Sequence, residues 1–134
     1  MPLVRIDLRE GESAEYIRAI GDAVHRALVE CLGVPARDRF QVVAAHATDH
    51  LVYDPHYLDI ERTDDVVFIT ITLSAGRTTE QKQAFYGRVA QLLAEHPGIR
   101  PEDVTIVLVQ NTREDWSFGN GEAQYLTLPR DRWM

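Results

Sequence analysis

The sequence holds a single cysteine, Cys31, in 134 residues, so no disulfide can close within the chain. A reducing compartment, the cytoplasm, is therefore expected. No run approaches the ~20 apolar residues of a membrane span, and the start lacks a signal-peptide pattern. Positive charge is scarce: 14 Lys and Arg face 21 Asp and Glu, a net charge of −7. That balance argues against general binding to nucleic acid or to an anionic membrane. It leaves a small anionic ligand open, because such a site needs only one or two local cations. What is present is ordinary globular material, 45% hydrophobic and 26% charged. The length fits one domain, 1–134, large enough to need neither disulfide nor structural metal.

The chain repeats itself at an offset of 65 residues. The stretch Pro2–Leu8 lies over Val67–Leu73, and both alternate with period two: Val4, Ile6, Leu8 against Ile69, Ile71, Leu73. Two strands are predicted. Ser13 falls on Thr78; each suits a helix N-cap, and Gln81 completes a capping box with Thr78. Ile17, Ile20, Val24 and Leu28 then recur at helical spacing, matched by Lys82, Phe85, Val89 and Leu93. Gly33 falls on Gly98 as a helix stop in both halves. Phe40, Val42 and Ala44 fall on Thr105, Val107 and Val109, a second strand in each.

Each half, about 2–45 and 67–110, thus reads strand, helix, strand. A helical crossover joins parallel strands with a right-handed connection. Two such units predict an α+β fold: a four-stranded mixed sheet with both helices on one face. The other face carries Leu3, Arg5, Asp7, Arg9, Phe68, Thr70 and Thr72. A half-apolar sheet face left in water is unusual, so self-association is expected. Residues 46–65 link the halves, a long connection for a simple loop. The tail 111–134 holds Gly119-Asn120-Gly121 between aromatic-bearing segments, which suggests a tight hairpin.

Differences between the halves mark candidate functional positions. Pro2 stands where the other half has Val67. It is tolerated at a strand start because no ladder donor is lost. If Met1 is removed it also becomes a secondary amine that titrates near neutrality, able to serve as base, acid or nucleophile. Arg77, in Ser74-Ala75-Gly76-Arg77, sits beside a helix N-terminus, where a carboxylate can dock; an exposed loop arginine is the plainer reading. Gly76 and nearby backbone donors can stabilise an oxyanion. Asp38 either orients a water or a proton on a substrate, or plays the turn or cap role expected of its repeat mate Asp103. Trp116, Phe118 and Tyr125 anchor the tail, wall a pocket, or do both. His46, His50 and His56 match no compact metal-ligand spacing, so no metal is expected.

Several stretches carry a family resemblance: Met1-Pro2-Leu3 opening a strand, Gly33–Gln41, Thr79–Tyr86 and Glu114–Leu126. With the doubled β-α-β pattern they resemble the tautomerase superfamily, and specifically its malonate semialdehyde decarboxylase branch. The resemblance covers nearly the whole chain. It implies a homotrimer built around a central barrel, an active site at each N-terminal proline, and no cofactor. It implies Pro2 as the catalytic amine, Asp38 as activator of water or positioner of substrate, and Arg77 as carboxylate binder. It also implies Trp116, Phe118 and Tyr125 as the pocket wall. One departure stands out: the branch has Arg-x-Arg where this chain has Ala75-Gly76-Arg77. One cation fewer is expected to weaken carboxylate binding and to lower the Pro2 amine pKa relative to the branch, which favours a base role. The reading tilts to keto–enol tautomerisation of a 2-oxo acid with Pro2 as base. Decarboxylation or hydration of a 3-oxo acid such as malonate semialdehyde stands as the alternative, and a non-catalytic carboxylate-binding trimer as the third.

Overall fold

The computed structural model describes residues 2–134. Strand β1 (Pro2–Arg9) leads into helix α1 (Ala14–Leu32) and strand β2 (Phe40–His46). After the connection come β3 (Val67–Ser74), α2 (Thr79–Glu95) and β4 (Val104–Asn111). The sheet order is β2-β1-β3-β4. β1 runs parallel to β2, β3 parallel to β4, and the two halves meet where β1 pairs antiparallel with β3. The expected α+β fold with a mixed four-stranded sheet is what forms.

The alternation read from the sequence sets the layers. Val4, Ile6 and Leu8 of β1 and Val67, Ile69, Ile71 and Leu73 of β3 are all buried. They pack with Ile20, Val24, Leu28, Phe85, Val89 and Leu93 of the two helices in one core. Each such side chain contributes roughly 1.5–3 kcal/mol when fully buried. Ser13 Oγ accepts the Tyr16 amide at 3.1 Å. Thr78 and Gln81 form the full capping box.

Two local expectations need correction. Gly33 does end α1 in the left-handed region, φ 68°, but Gly98 does not end α2. That helix stops at Glu95, because Pro97 forces His96 into an extended conformation and offers no N–H of its own. The Gly119–Gly121 turn is not a hairpin. All three residues have positive φ, yet no strand flanks them. The Gln124 side chain closes the loop instead, accepting the Phe118 amide at 2.8 Å and donating to the Gly119 carbonyl at 2.7 Å.

The connection 46–65 is irregular but tied down. Arg9 pairs with Asp64 at 2.7 Å and donates to the Leu51 carbonyl. Arg62 Nη1 donates to the carbonyls of Tyr57 and Ile60. Buried Asp103 accepts both the amide and the hydroxyl of Thr63 at 2.7 Å, which gives it the structural role expected of it.

The outward sheet face leaves Leu3 43%, Val42 49% and Val107 49% exposed. His46 meets Asp7 there at 2.6 Å, and Arg5 holds the same carboxylate. Among the described residues no His, Cys, Asp and Glu group is arranged to hold a metal ion, and no helix is long and apolar enough to cross a membrane.

Asp103→Ala would strip Thr63 of both acceptors. A loss of about 3 kcal/mol is expected in denaturant unfolding, since charged hydrogen bonds contribute ~1.5–3 kcal/mol each and two are removed. A loss below about 0.5 kcal/mol would show that the latch does not secure the connection.

Candidate active site

The antiparallel register sets Pro2, buried at the head of β1, opposite Leu73. On its other side Leu3 pairs with Phe40 at the head of β2. The chain segments that continue past these partners, Ser74–Arg77 and the turn holding Asp38, wall a cleft of about 340 Å³. Leu32, Gly33, Pro35, Gln81 and Tyr125 complete its inner lining. The expected Met1 removal lies outside the described residues.

Arg77 does not wave in solvent. Its Nε and Nη2 donate to the Leu32 carbonyl at 3.4 and 3.3 Å, and its Nη1 to the Ser74 carbonyl at 2.9 Å. Leu32 ends α1, so its carbonyl lacks an intrahelical partner and carries the negative end of the helix dipole. This tether joins one half's helix to the other half's loop and fixes the guanidinium. Five N–H groups less three contacts leaves donors for a carboxylate. Gly76 adopts φ 134°, a conformation that strains any other residue, and lines the cleft beside it.

Asp38 lines the same cleft. Its turn is held by the Asp38 amide on the Pro35 carbonyl at 3.0 Å and by His25 Nε2 on the Ala36 carbonyl at 2.8 Å. His25, on α1, is a positioning residue that its lone place in a helix gave no means to find. Burial raises the Asp38 pKa above its usual value, and the positive charges of His25 and Arg77 oppose the shift. The flanking Arg39 turns away, to Asp22 at 2.7 Å.

The aromatic tail is a chain of ring contacts. Trp116 stacks on Phe118 at 5.5 Å; Phe118 meets Tyr125 edge-on at 4.9 Å; Tyr125 meets Trp133 at 4.7 Å. Tyr125 lines the main cleft, and with Phe118 and Phe40 it lines an adjoining apolar hollow. Trp116 stands behind Phe118, its Nε1 donating to Asn111 at 2.8 Å, and does not line either hollow. It therefore braces the wall instead of forming its surface. Burial and the nearby Asp38 charge push the Tyr125 phenol up to about 12, so it stays a proton donor at neutral pH.

The missing arginine before Arg77 does not leave the cleft short of positive charge. Arg113 and Arg130 line it too, as do Trp133 and Met134. Sequence reading missed them because they come from irregular segments with no repeat pattern to flag them. The one signal was the interleaving of base and aromatic in Arg130-Asp131-Arg132-Trp133.

With this geometry in view, comparisons with known proteins are informative. A family model described as tautomerase enzyme matches residues 38–119, and a second of that description matches 2–59. The chain is 44% identical over 126 residues to the probable tautomerase YusQ of Bacillus subtilis (strain 168), covering 94% of this chain and 99% of that one. It is 46% identical to FG41 malonate semialdehyde decarboxylase inhibited by 3-bromopropiolate, with TM-score 0.88 over 93% of this chain and 95% of that one. A second malonate semialdehyde decarboxylase, studied for its decarboxylase and hydratase activities and as a variant of its first-position proline, is 39% identical. It covers 93% of this chain and 96% of its own, with TM-score 0.87. A fused 4-OT symmetric trimer is 20% identical with TM-score 0.77, over 95% and 99% of the chains, and shares the fold. The chain belongs to the tautomerase family of enzymes.

The raised Asp38 pKa has a consequence for stability. The folded state holds the Asp38 proton more tightly than the unfolded state does, so this contribution is most stabilising below the ordinary value of 3.8. It is lost as pH climbs through the raised folded value. Asp38→Asn lacks that loss. Thermal melts should show the variant gaining on the wild type as pH rises above 3.8. Melting curves that stay parallel as pH rises would contradict the assignment.

Proposed function

We propose that this chain is a cofactor-independent tautomerase in which Pro2, freed of Met1, is the catalytic base for keto–enol tautomerisation of 2-oxo acids. The observation that supports this reading is that the tethered Arg77 and Asp38 line one cleft, and that Pro2 pairs with Leu73, the residue before the cleft-lining segment Ser74–Arg77. Arg77 and Gly76 receive the substrate carboxylate. The neutral Pro2 nitrogen takes the enol hydroxyl proton and delivers it to carbon, so the base is regenerated within one turnover. Tyr125 and Phe118, braced by Trp116, exclude water and hold the hydrocarbon end.

Charge favours the neutral amine, but not through the missing arginine: a nearby cation lowers an amine pKa, so one arginine fewer works against the expectation above. An α-amino group titrates near 8 in water. Burial and neighbouring cations both disfavour its ammonium form, and Arg77, Arg113 and Arg130 line the cleft. Asp38 opposes them, and its presence supports the second reading, a decarboxylase or hydratase of a 3-oxo acid such as malonate semialdehyde. There a cationic Pro2 polarises the carbonyl while Asp38 activates water. The 46% identity to a malonate semialdehyde decarboxylase supports it as well.

We also infer a homotrimer closed over the outward sheet face. The exposed Leu3, Phe40, Val42, Val107 and Val109 support it. Light scattering should return three chain masses; a monomer would contradict this. A cytoplasmic setting suits the free Cys31.

The deciding experiment compares wild type, Pro2→Ala and Arg77→Ala on phenylenolpyruvate, 2-hydroxymuconate and malonate semialdehyde, with mass spectrometry confirming the Pro2 N-terminus. Pro2→Ala should lose about 10²–10⁴-fold in kcat on the enols, the usual contribution of a positioned base. Arg77→Ala should raise KM for all three substrates. Acetaldehyde as the dominant product, with an amine that stays cationic above pH 8 by NMR titration, would favour the second reading. Equal rates for all three proteins would overturn the site.

A further inference from the structure

That His25 holds the Asp38 turn is geometry. We propose that the reaction depends on it: His25 acts through Asp38, so that losing its one hydrogen bond to the turn costs turnover and not substrate affinity. The proposal rests on the reading that Asp38 serves the reaction in this cleft, and it applies to tautomerisation and to hydration alike.

The segment that carries Asp38 leaves α1 at Gly33 and folds back along it to begin β2. Three positions on α1 meet it in succession. His25 Nε2 donates to the Ala36 carbonyl at 2.8 Å. Asp22 accepts Arg39 Nη2 at 2.7 Å. The Gly21 carbonyl accepts Gln41 Nε2 at 2.9 Å. Asp38 therefore lies between two anchors, Ala36 before it and Arg39 after it. The helix comes close here: a Cβ at Gly21 would stand 2.6 Å from Gln41 Oε1, so a larger residue would push the segment away.

The two anchors are unequal. Arg39 and Asp22 are 39% and 58% exposed, and an ion pair in water holds little against its own entropy and salt. The His25 bond is of another kind. Ala36 is a middle residue of the turn that the Asp38 amide closes on the Pro35 carbonyl at 3.0 Å. Such a turn leaves its middle carbonyls to outside partners. At Ala36 that partner is one side chain of α1, and because a carbonyl only accepts, His25 must carry its proton on Nε2. Without His25 the turn is tied to its own backbone and to an exposed ion pair. Arg77 hangs instead on the carbonyls of Leu32 and Ser74, so the carboxylate binder does not depend on the turn. Removing His25 thus displaces Asp38 and leaves Arg77 in place. A reacting group misplaced by about 1 Å can lose on the order of 10²-fold in rate.

A double-mutant cycle tests this, with kcat and KM measured on phenylenolpyruvate and malonate semialdehyde. His25→Ala should lower kcat about tenfold or more and leave KM within about twofold. In an Asp38→Asn background the same substitution should lose little further, the non-additivity of two residues that act as one. His25→Gln, whose amide sets a donor close to the position of the ring Nε2, should recover most of the lost kcat. Hydrogen exchange gives a readout that needs no turnover. The Asp38 amide should exchange about tenfold faster or more in His25→Ala, while the amides of α1 before His25 keep their protection. An unchanged Asp38 amide, a rise in KM in place of a fall in kcat, fully multiplicative losses in the double variant, or wild-type kcat in Asp38→Asn would each overturn the role of His25. A Pro2→Ala protein that keeps full enol turnover would sink the base assignment and leave the coupling of His25 to Asp38 standing.

Discussion

The antiparallel pairing of β1 with β3 is the constraint on which the rest depends. Ile6 faces Ile69 at the centre of that pair, and the apolar stripes on either side hold both helices to one face. Slipping this register by one residue would turn each stripe to the wrong side of the sheet. With the register fixed, the head of each inner strand must lie beside the strand-to-helix loop of the other half. Pro2 faces Leu73, next to Ser74–Arg77; Val67 faces Leu8, next to Arg9–Glu12. A duplicated scaffold therefore creates two equivalent hollows, one at each end of the central pair.

The two hollows differ in what lines them. The second hollow, about 210 Å³, is lined by Leu8, Arg9, Glu10, Glu12, Tyr16 and Thr48 among others. At the 65-residue offset Glu12 stands for Arg77 and Thr48 for Arg113. Arg9 occupies this end and is neutralised by Asp64. Asp103, the mate of Asp38, is 1% exposed and committed to Thr63. Val67 has no free amine to offer. The pseudo-symmetry even extends beyond the strands: one-turn helices follow both outer strands, at Thr48–His50 and at Arg113–Asp115. Past that point the connection 46–65 brings Asp64 and Asp65 to the second hollow, while the tail brings Arg113 and Arg130 to the first.

The strands, helices, caps and sheet order were legible because each repeats with a period that burial demands. Arg77 stood out as a difference between halves, and Asp38, which repeats as Asp103, stood out only through the family resemblance; both line the one cleft. What escaped has a common cause. Helix α2 ends at Glu95 because of Pro97, a local backbone effect that overrides the position of Gly98. The hairpin failed because positive φ at Gly119, Asn120 and Gly121 specifies a turn but not strands beside it. Arg113, Arg130 and Trp133 lie in irregular segments, where no periodicity says which side chain meets which.

Net charge shows most clearly how such local facts override global ones. The chain is acidic by seven charges, yet its cleft gathers three arginines against one carboxylate. The acidic excess is spread where water screens it; the arginines stand together in a cleft, where screening is weaker. On the proposed reading, positive charge there serves binding and chemistry together: it attracts the anionic substrate, and it disfavours the ammonium form that would disable Pro2 as a base. The two effects are then coupled: a bound anion neutralises part of the field that keeps the amine neutral. Ligand binding should then raise the Pro2 pKa, easing proton capture from the enol at the moment the substrate is in place. The arginine left out before Arg77 and the arginines supplied by the tail thus tune the same quantity, the proton affinity of one nitrogen at the head of β1.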